Sequence, residues 1–390
     1  MAIIRTIQTP KISNAKLINE VWSQAPNDNG ANQPRFLSAD RRTVWGISWD
    51  GLVKSTDDGA TWTPGASRIK PSAEQLAGAW LLPNGEVIAT SKVGGGKGGL
   101  HLSSGWNNGA GPMTWSKVLT VSQNDNKIHE YWGLSFAPKG HPREGLVVAT
   151  EYGGQGSGST PADGGARYVW VSLDYGKTWR TIFDLFAQTQ VIGQHMHSVA
   201  YDPWDDRLIC AFGDGNGANS SKSGIMACED FTTTTPTWKY LYGPVTSADF
   251  QVTTIRPLST GIIFGGDGAP PGIYRMGRNG YRNLKPMQTV LNYGGGTDTG
   301  YIGQDMFQAG PGQPILVSHE WAKNTNRHSA VHLTFNGVDF VEIWRDPNAN
   351  PWTGLFVVGP TATGKVLGWS KNDSRYTTSK AYFKADLVLD

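Results

Sequence analysis

Ser55-Thr56-Asp57-Asp58-Gly59-Ala60-Thr61-Trp62 and Ser172-Leu173-Asp174-Tyr175-Gly176-Lys177-Thr178-Trp179 are two copies of one pattern, S-x-D-x-G-x-T-W. Its parts specify a tight turn between two antiparallel strands. The Asp carboxylate accepts N–H groups of its own turn, the Gly supplies a positive φ, and the Trp packs between strands. A turn of fixed shape that recurs within one chain implies a repeated unit around it.

Composition agrees with many short strands. The 390 residues include 50 Gly and 22 Pro beside 16 Trp, 13 Tyr and 13 Phe, which supply turns and large packing units for sheets. Helix-period stretches are scarce, and Phe183-Asp184-Leu185-Phe186-Ala187 is the best candidate for a turn or two of helix. The formal charge of +2, from 34 basic and 32 acidic residues, gives no field that would recruit nucleic acid or an anionic membrane. The start, Met1-Ala2-Ile3-Ile4-Arg5-Thr6-Ile7-Gln8-Thr9-Pro10-Lys11, lacks the apolar core of a signal peptide, and no apolar run is long enough to span a bilayer. Synthesis in a cytoplasm without membrane insertion is expected. Cys210 and Cys228 exclude a disulfide framework and are expected as buried free thiols on neighbouring strands.

The unit around the turn reads as a strand, a short turn, a second apolar strand, a Gly-rich loop, a third strand and a fourth strand carrying a Trp. Its first turn recurs at Pro83-Asn84-Gly85, Pro138-Lys139-Gly140, Asp202-Pro203-Trp204-Asp205, Pro257-Leu258-Ser259-Thr260-Gly261, Pro311-Gly312 and Thr361-Ala362-Thr363-Gly364. Ala39-Asp40-Arg41-Arg42 in front of them makes seven. Fourth-strand anchors fall at Trp62, Trp115, Trp179, Trp238, weakly near Leu284 to Met287, and at Trp344. The missing seventh stands at the other end of the chain, in Leu17-Ile18-Asn19-Glu20-Val21-Trp22. The expected fold is therefore all-β, a single β-propeller of seven four-stranded blades closed by an N-terminal strand, because radial closure removes exposed edges. Residues 1–13 are expected as an arm and 14–390 as the propeller, with 14–25 the closing strand of its last blade.

Strand alternation puts the second-to-third loops of every blade on one face. Those loops, near 92–99, 151–167, 213–224, 267–272 and 320–328, are long and rich in Gly, Ser and Asn, whereas the turns opposite are short. Long loops on a rigid scaffold are where binding usually resides. First strands begin, and second strands end, near the channel mouth on that face, which gathers His129, Glu130, Glu151, His195, His197, Asp214, Asp267, Asp305, His319 and Glu320. Carboxylates, imidazoles and flat rings suit a sugar, whose hydroxyls take bidentate polar partners and whose C–H faces stack on aromatics. The same polar groups also suit a propeller that only satisfies its own channel. His195 and His197 alternate on one strand and, with Asp214 or His319, could ligate a metal, but no zinc spacing is present and neither metal nor cofactor is expected. Gly94-Gly95-Gly96-Lys97-Gly98-Gly99 lacks the Ser or Thr of a phosphate loop, Gly213-Asp214-Gly215-Asn216-Gly217 lacks the carboxylates of a calcium loop, and no G-x-S-x-G elbow occurs.

The eight-residue pattern resembles the Asp box of sialidase-like β-propellers, which implies that Ser55, Asp57, Gly59, Trp62, Ser172, Asp174, Gly176 and Trp179 are structural and lie away from the ligand face. Six blades is the alternative count, because true sialidases have six. His195-Met196-His197-Ser198-Val199-Ala200-Tyr201-Asp202-Pro203-Trp204-Asp205-Asp206-Arg207, Gly213-Asp214-Gly215, Thr253-Thr254-Ile255-Arg256-Pro257 and Gly266-Asp267-Gly268-Ala269-Pro270-Pro271-Gly272-Ile273-Tyr274-Arg275 resemble sialidase-like minor tail proteins of phages infecting actinobacteria. That resemblance, covering roughly residues 125–285, implies a virion tail component, made in the host cytoplasm, that contacts a host envelope glycan and other tail proteins. The three channel arginines of sialidases are not matched, Arg35 and Arg256 being poor substitutes, so sialic acid is not the expected substrate. Two alternatives stay open. One is a glycoside hydrolase or lyase drawing a carboxylate pair from Glu151, Asp214, Asp267 and Glu320, with catalytic residues unassigned. The other is a purely structural propeller.

Overall fold

The computed structural model describes residues 14–24, 33–48, 51–64, 74–106, 113–153, 165–189, 194–213, 222–246, 251–268, 272–285, 287–292, 300–301, 305–310, 312–319, 329–347, 354–371 and 380–389. They form seven antiparallel sheets arranged as a seven-bladed β-propeller, with one short helix, Leu185–Thr189. Blade one runs from Gln33–Leu37 to Thr63–Pro64, blade two from Gln75–Leu81 to Thr114–Thr120, and blade three from Lys127–Ile128 to Arg180–Asp184. Blade four runs from His195–Asp202 to Trp238–Thr246, blade five from Val252–Leu258 to Gln288–Asn292, and blade six from Asp305–Gln308 to Val341–Arg345. The outer strand of blade five starts just beyond the weak anchor at 284–287, where Leu284 makes only a bridge to Arg278. Among the described residues no helix is long and apolar enough to cross a membrane.

Blade seven closes the ring. Gly354–Val358, Lys365–Lys371 and Lys380–Leu389 take Ala15–Gln24 as their outer strand, in a register that sets Leu17 opposite Leu387 and Trp22 opposite Phe383. The Trp22 ring lies 4.8 Å from Phe383 and 5.9 Å from Trp344 of blade six, while Trp344 Nε1 donates to Glu20 at 3.1 Å. The closing strand thus contributes to both its own blade and the interface with its neighbour.

Each blade is packed on both faces, so its middle strands are apolar throughout instead of alternating. Leu208, Ile209, Cys210, Ala211 and Phe212 are all buried, whereas the outer strand Thr114–Thr120 is mostly exposed or half-buried. Among the described residues the core divides into seven clusters, one between each adjoining pair of blades. Cys210 and Cys228 are free thiols within the cluster between blades three and four, and burial pushes both well up.

The repeated turn has the same internal bonds in both copies. Ser55 Oγ donates to Asp57 at 2.7 Å and accepts from Gly59 N at 2.7 Å, while Asp57 accepts from Thr61 N at 2.9 Å and Thr61 Oγ1 at 2.6 Å. Ser172, Asp174, Gly176 and Thr178 repeat these contacts. Gly59 is required twice over. Its φ is +77°, and a Cβ there would lie 2.3 Å from Tyr382 Oη, because the turn docks against blade seven. Trp62 and Trp179 are half-buried instead of enclosed, for each directly precedes the outermost strand of its blade. A further copy escapes the pattern. Cys228 Sγ donates to Asp230 at 3.2 Å and Thr237 N donates to the same carboxylate at 2.8 Å, just before Trp238, so Cys replaces Ser and the loop is longer.

At this turn end, blades four and five are fastened by buried charges. Asp202 and Asp205, both almost without exposure, accept from Arg207 at 3.2 and 2.8 Å, and Arg278 of blade five reaches Asp202 at 2.6 Å and also Asp205. Arg282 N adds a bond to Asp205 at 3.1 Å. The Asp-Pro-Trp-Asp-Asp-Arg run is therefore a fastening between blades.

Candidate functional site

First strands begin and second strands end at the opposite end of the blades. In blades one, two, four and five the pairing of these strands slips by one residue there, at Arg35, Ala77, His197 and Thr253. Such bulges bend a strand and redirect a side chain. Blade three goes further, because its first strand is split into Lys127–Ile128 and Leu134–Phe136. Between them His129-Glu130-Tyr131-Trp132-Gly133 makes a turn, with Gly133 N donating to His129 O at 3.1 Å.

The turn and the bulges assemble a row of rings. His129 lies flat on Trp132, with centres 3.4 Å apart and planes within 8°, and its edge meets Tyr152 at 4.9 Å. Tyr152 meets His195 at 5.2 Å, and His195 meets His197 at 4.8 Å. In the other direction Tyr131 stacks on Phe356 at 4.3 Å and Phe356 on Trp369 at 4.8 Å. Blades three and seven are not neighbours, so the Tyr131–Phe356 contact crosses the central channel. The Arg35 guanidinium sits 4.5 Å from the Tyr131 ring centre.

Burial divides this row into supports and presented rings. His129, His195 and His197 are 7%, 4% and 1% exposed, whereas Tyr131 and Tyr152 are half-buried. His197 Nδ1 lies 3.0 Å from Val252 O, which fixes the proton on Nδ1 because a carbonyl only accepts. Its ring fills the space left by Gly213, where a Cβ would come within 2.8 Å of His197 Cε1.

Several hydrogen-bond donors around the rings have no partner among the described residues. Arg35 Nη2 donates to Gln33 at 2.6 Å and Ala77 O at 2.7 Å, while its Nε and Nη1, with Nε1 of Trp132 and Trp369, are buried with no partner. Glu130 is held at 2.6 Å by Lys127. Burial works to raise the Glu130 carboxyl, but Lys127, His129 and Arg35 outweigh it and hold it well below the usual carboxylate range.

The other candidates with described side chains, Glu151 and His319, stand outside the row. Glu151 is fully buried and accepts from Ser122 N and Oγ, Asn126 Nδ2, Arg167 N and Tyr168 N at distances from 2.8 to 3.3 Å. It anchors the backbone on both sides of blade three. His319 accompanies a partner that sequence did not suggest, His332 Nδ1, at 3.1 Å from its Nε2. Burial, aided by its neighbour and by Arg345, pushes His319 well down, and burial pushes His332 down to about 4. Asp214 and Glu320 lie outside the described residues, as do the side chains of Asp267 and Asp305, whose backbones lie in strands. Among the described residues no group of three or more side chains has the placement to hold a metal ion.

Phe356 and Arg35 enter the row only through the fold, although each stands on a first strand near the loop end. Another such group is Glu74, Ser91, His101 and Lys117 of blade two. His101 Nε2 lies 2.9 Å from Glu74 and 3.1 Å from Ser91 Oγ, and Lys117 reaches Glu74 at 2.8 Å. One imidazole nitrogen meets both Ser and Glu, so this is a brace and lacks the two-sided relay of a nucleophilic triad.

No family model matches the chain, and no curated protein matches it. Solved structures do. The β-propeller domain of Cps50 (Swd1) from Myceliophteria thermophila is 9% identical, with 95% of this chain and 99% of that one covered and a TM-score of 0.52. YCF48 bound to a D1 peptide is 11% identical over 97% and 99% of the two chains, with a TM-score of 0.49. A Trypanosoma rangeli sialidase in complex with 2,3-difluorosialic acid is 9% identical, covers 80% of this chain and 54% of its own, and has a TM-score of 0.46. At such identities the likeness extends to the fold alone.

Proposed function

We propose that this propeller is a carbohydrate-binding component of a phage tail, presenting the loop end of its blades to a glycan of the host envelope. The row of rings across the channel carries the reading. Half-buried Tyr131 and Tyr152, locked among His129, Trp132, His195, Phe356 and Arg35, present aromatic surface that needs no reordering on binding. The unpartnered donors of Arg35, Trp132 and Trp369 favour a ligand rich in oxygen acceptors. The tail assignment rests on the resemblance carried by residues 195–215 and 253–275.

The state of the described carboxylates supports binding over hydrolysis. Glycoside cleavage needs two carboxyl groups free to face a glycosidic bond. Among the described candidates, Glu151 is saturated by backbone and side-chain donors and Glu130 is paired to Lys127. The test is incubation of the purified protein with host cell-wall polysaccharide. Retention without new reducing ends is the expected result, released oligosaccharides would turn the reading to an enzyme, and no retention would sink it.

A further inference from the structure

We infer that the turn end of blades four to six docks an acidic segment of a protein partner, whose carboxylates meet Arg275 and Lys285 and whose apolar side chains cover Trp204, Tyr281 and Val338. This contact rests on no part of the glycan reading of the loop end. Of the seven large hydrophobic side chains exposed among the described residues, Leu173, Trp204, Tyr281 and Val338 stand in the turns of blades three, four, five and six, all at one end of the molecule. The last three are joined across the blades. Arg278 lies 5.6 Å from the Trp204 ring centre, Arg282 lies 4.8 Å from that of Tyr281, and Asp205 binds both arginines. Thr260 O accepts from Arg278 N at 3.1 Å and from Arg275 Nη2 at 2.6 Å, while Thr260 Oγ1 donates at 3.0 Å to the carbonyl of Asn336, two residues before Val338.

The charge left free on this surface is positive. Every described acid in the turns of blades four to six is already engaged within the protein. Asp202 and Asp205 are held by Arg207 and Arg278, Asp206 by Arg143, and Glu229 by Arg282, while Asp230 accepts from Thr237 N and Asp339 from Asn336 Nδ2. Arg275 and Lys285 of blade five have no acid partner among the described residues. Arg275 lies across the paired Gly261 and Gly277, where a Cβ would come within 3.1 Å of its Cζ and 2.7 Å of its Nη1. The Lys285 stem runs beside it, with Cδ 3.4 Å from the Cβ position of Gly277. Burial and the like charge of Arg278 push the Arg275 guanidinium down, so a carboxylate placed between Arg275 and Lys285 relieves repulsion among three neighbouring cations.

The apolar side chains select among acidic partners. Val338 carries a branched aliphatic group, 45% exposed, that has nothing to offer a sugar hydroxyl or a phosphate. Exposed Trp and Tyr set among arginines, next to an aliphatic side chain, have the composition of a protein interface. A second copy of this chain is disfavoured as the occupant, because a face that meets itself about a two-fold axis sets Arg275 and Lys285 against like charges.

An array of peptides mixing Glu and Leu in varied order tests this, beside matched peptides with Gln for Glu or Ser for Leu and beside polygalacturonate as an acidic polysaccharide. The wild type should retain Glu/Leu peptides above both matched sets and above polygalacturonate. That retention should fall at least about tenfold in Lys285→Glu and in Trp204→Ala/Tyr281→Ala. All three replaced side chains are exposed, and circular dichroism with thermal unfolding verifies that the variants are folded. Retention of no peptide by the wild type, equal retention of the Gln set, or retention unaltered in the folded variants overturns the inference. Equal retention of the Ser set or of polygalacturonate shows a contact with anions of any kind and overturns it too. Retention of host polysaccharide by Lys285→Glu should match the wild type, so the loop-end reading stands or falls separately.

Discussion

The two ends of the blades bury polar groups in opposite ways. At the turn end, blades four and five enclose full charges, and each carboxylate of Asp202 and Asp205 meets guanidinium donors of Arg207 and Arg278. At the loop end imidazoles and indoles are stacked on one another, and among the described residues the indole N–H groups of Trp132 and Trp369 and two guanidinium nitrogens of Arg35 are left unanswered. A buried charge without a partner is too costly to keep, so the turn end is complete in itself. A neutral donor costs less and can be held open for a ligand. The contrast separates fastening from recognition within one architecture.

The largest expected effect is at the turn end. Arg278→Ala leaves two buried carboxylates to share Arg207, and loss of one partner from such a group costs about 3 to 5 kcal/mol. Denaturant unfolding should show that loss with retention of host polysaccharide unchanged at temperatures where the variant is folded. A loss under about 1 kcal/mol would mean that water reaches the carboxylates and that the ends are less different than described.

Next in size is a difference in acid response. His332 is pushed down to about 4 from 6.5, by burial first and against the pull of Glu342, and His319 beside it is pushed down as well. The unfolded chain therefore takes up protons before the folded one, and stability present above pH 6.5 is lost as the pH falls toward about 4. For His332 alone this amounts to about 3 kcal/mol. His332→Gln should flatten that limb of the stability profile. An unaltered slope between pH 6.5 and 4 would place the acid sensitivity elsewhere.

The repeated turns titrate lower. Hydrogen bonds from Thr61 and Ser55 hold the Asp57 carboxyl down at about 2, and Asp174 is lowered by the equivalent donors against its burial. The sign is that of a depressed acid, so both contributions are intact above about pH 4 and are lost at lower pH, that of Asp57 as the pH falls through about 2. Asp57→Ala and Asp174→Ala should each cost about 1 to 3 kcal/mol, with glycan retention unchanged in the folded variants. Loss of binding in a folded variant would contradict the assignment of this end to structure.

The smallest expected change in free energy is the one aimed at recognition. Tyr152→Ala should weaken retention on host polysaccharide at least tenfold, about 1.4 kcal/mol, while unfolding shifts less than in Arg278→Ala. Tyr152 serves better than His197, whose ring is enclosed and bonded to Val252 O, so that its removal lowers stability as well. Equal binding by Tyr152→Ala would remove the row of rings from the site.

Much of the architecture could be read along the chain. Two copies of an eight-residue turn, seven short first turns and a Trp-bearing segment at each end of the count led to seven blades and to Leu17 through Trp22 as the missing strand. A further copy of the turn stayed hidden because Cys228 stands where Ser was sought and the loop between Asp230 and Thr237 is longer. At the site, gathering His129, Glu130, His195 and His197 followed from strand direction alone. The burial of Glu151 among five donor atoms did not, since they come from Ser122, Asn126, Arg167 and Tyr168 in segments before and after its own strand.

By itself the sequence determined the repeat, the direction of every strand and the end of the blade to which each motif belongs, because turn chemistry and alternation are local and are written within a few neighbouring residues. Only the tertiary structure decided which polar groups spend themselves on the protein and which remain available. Arg278 finds Asp202, and Tyr131 finds Phe356 across the channel, through a ring closure that brings together residues far apart in the chain. Whether a carboxylate, an imidazole or an indole is answered depends on those distant partners, and the residue's own neighbours in sequence carry no record of them.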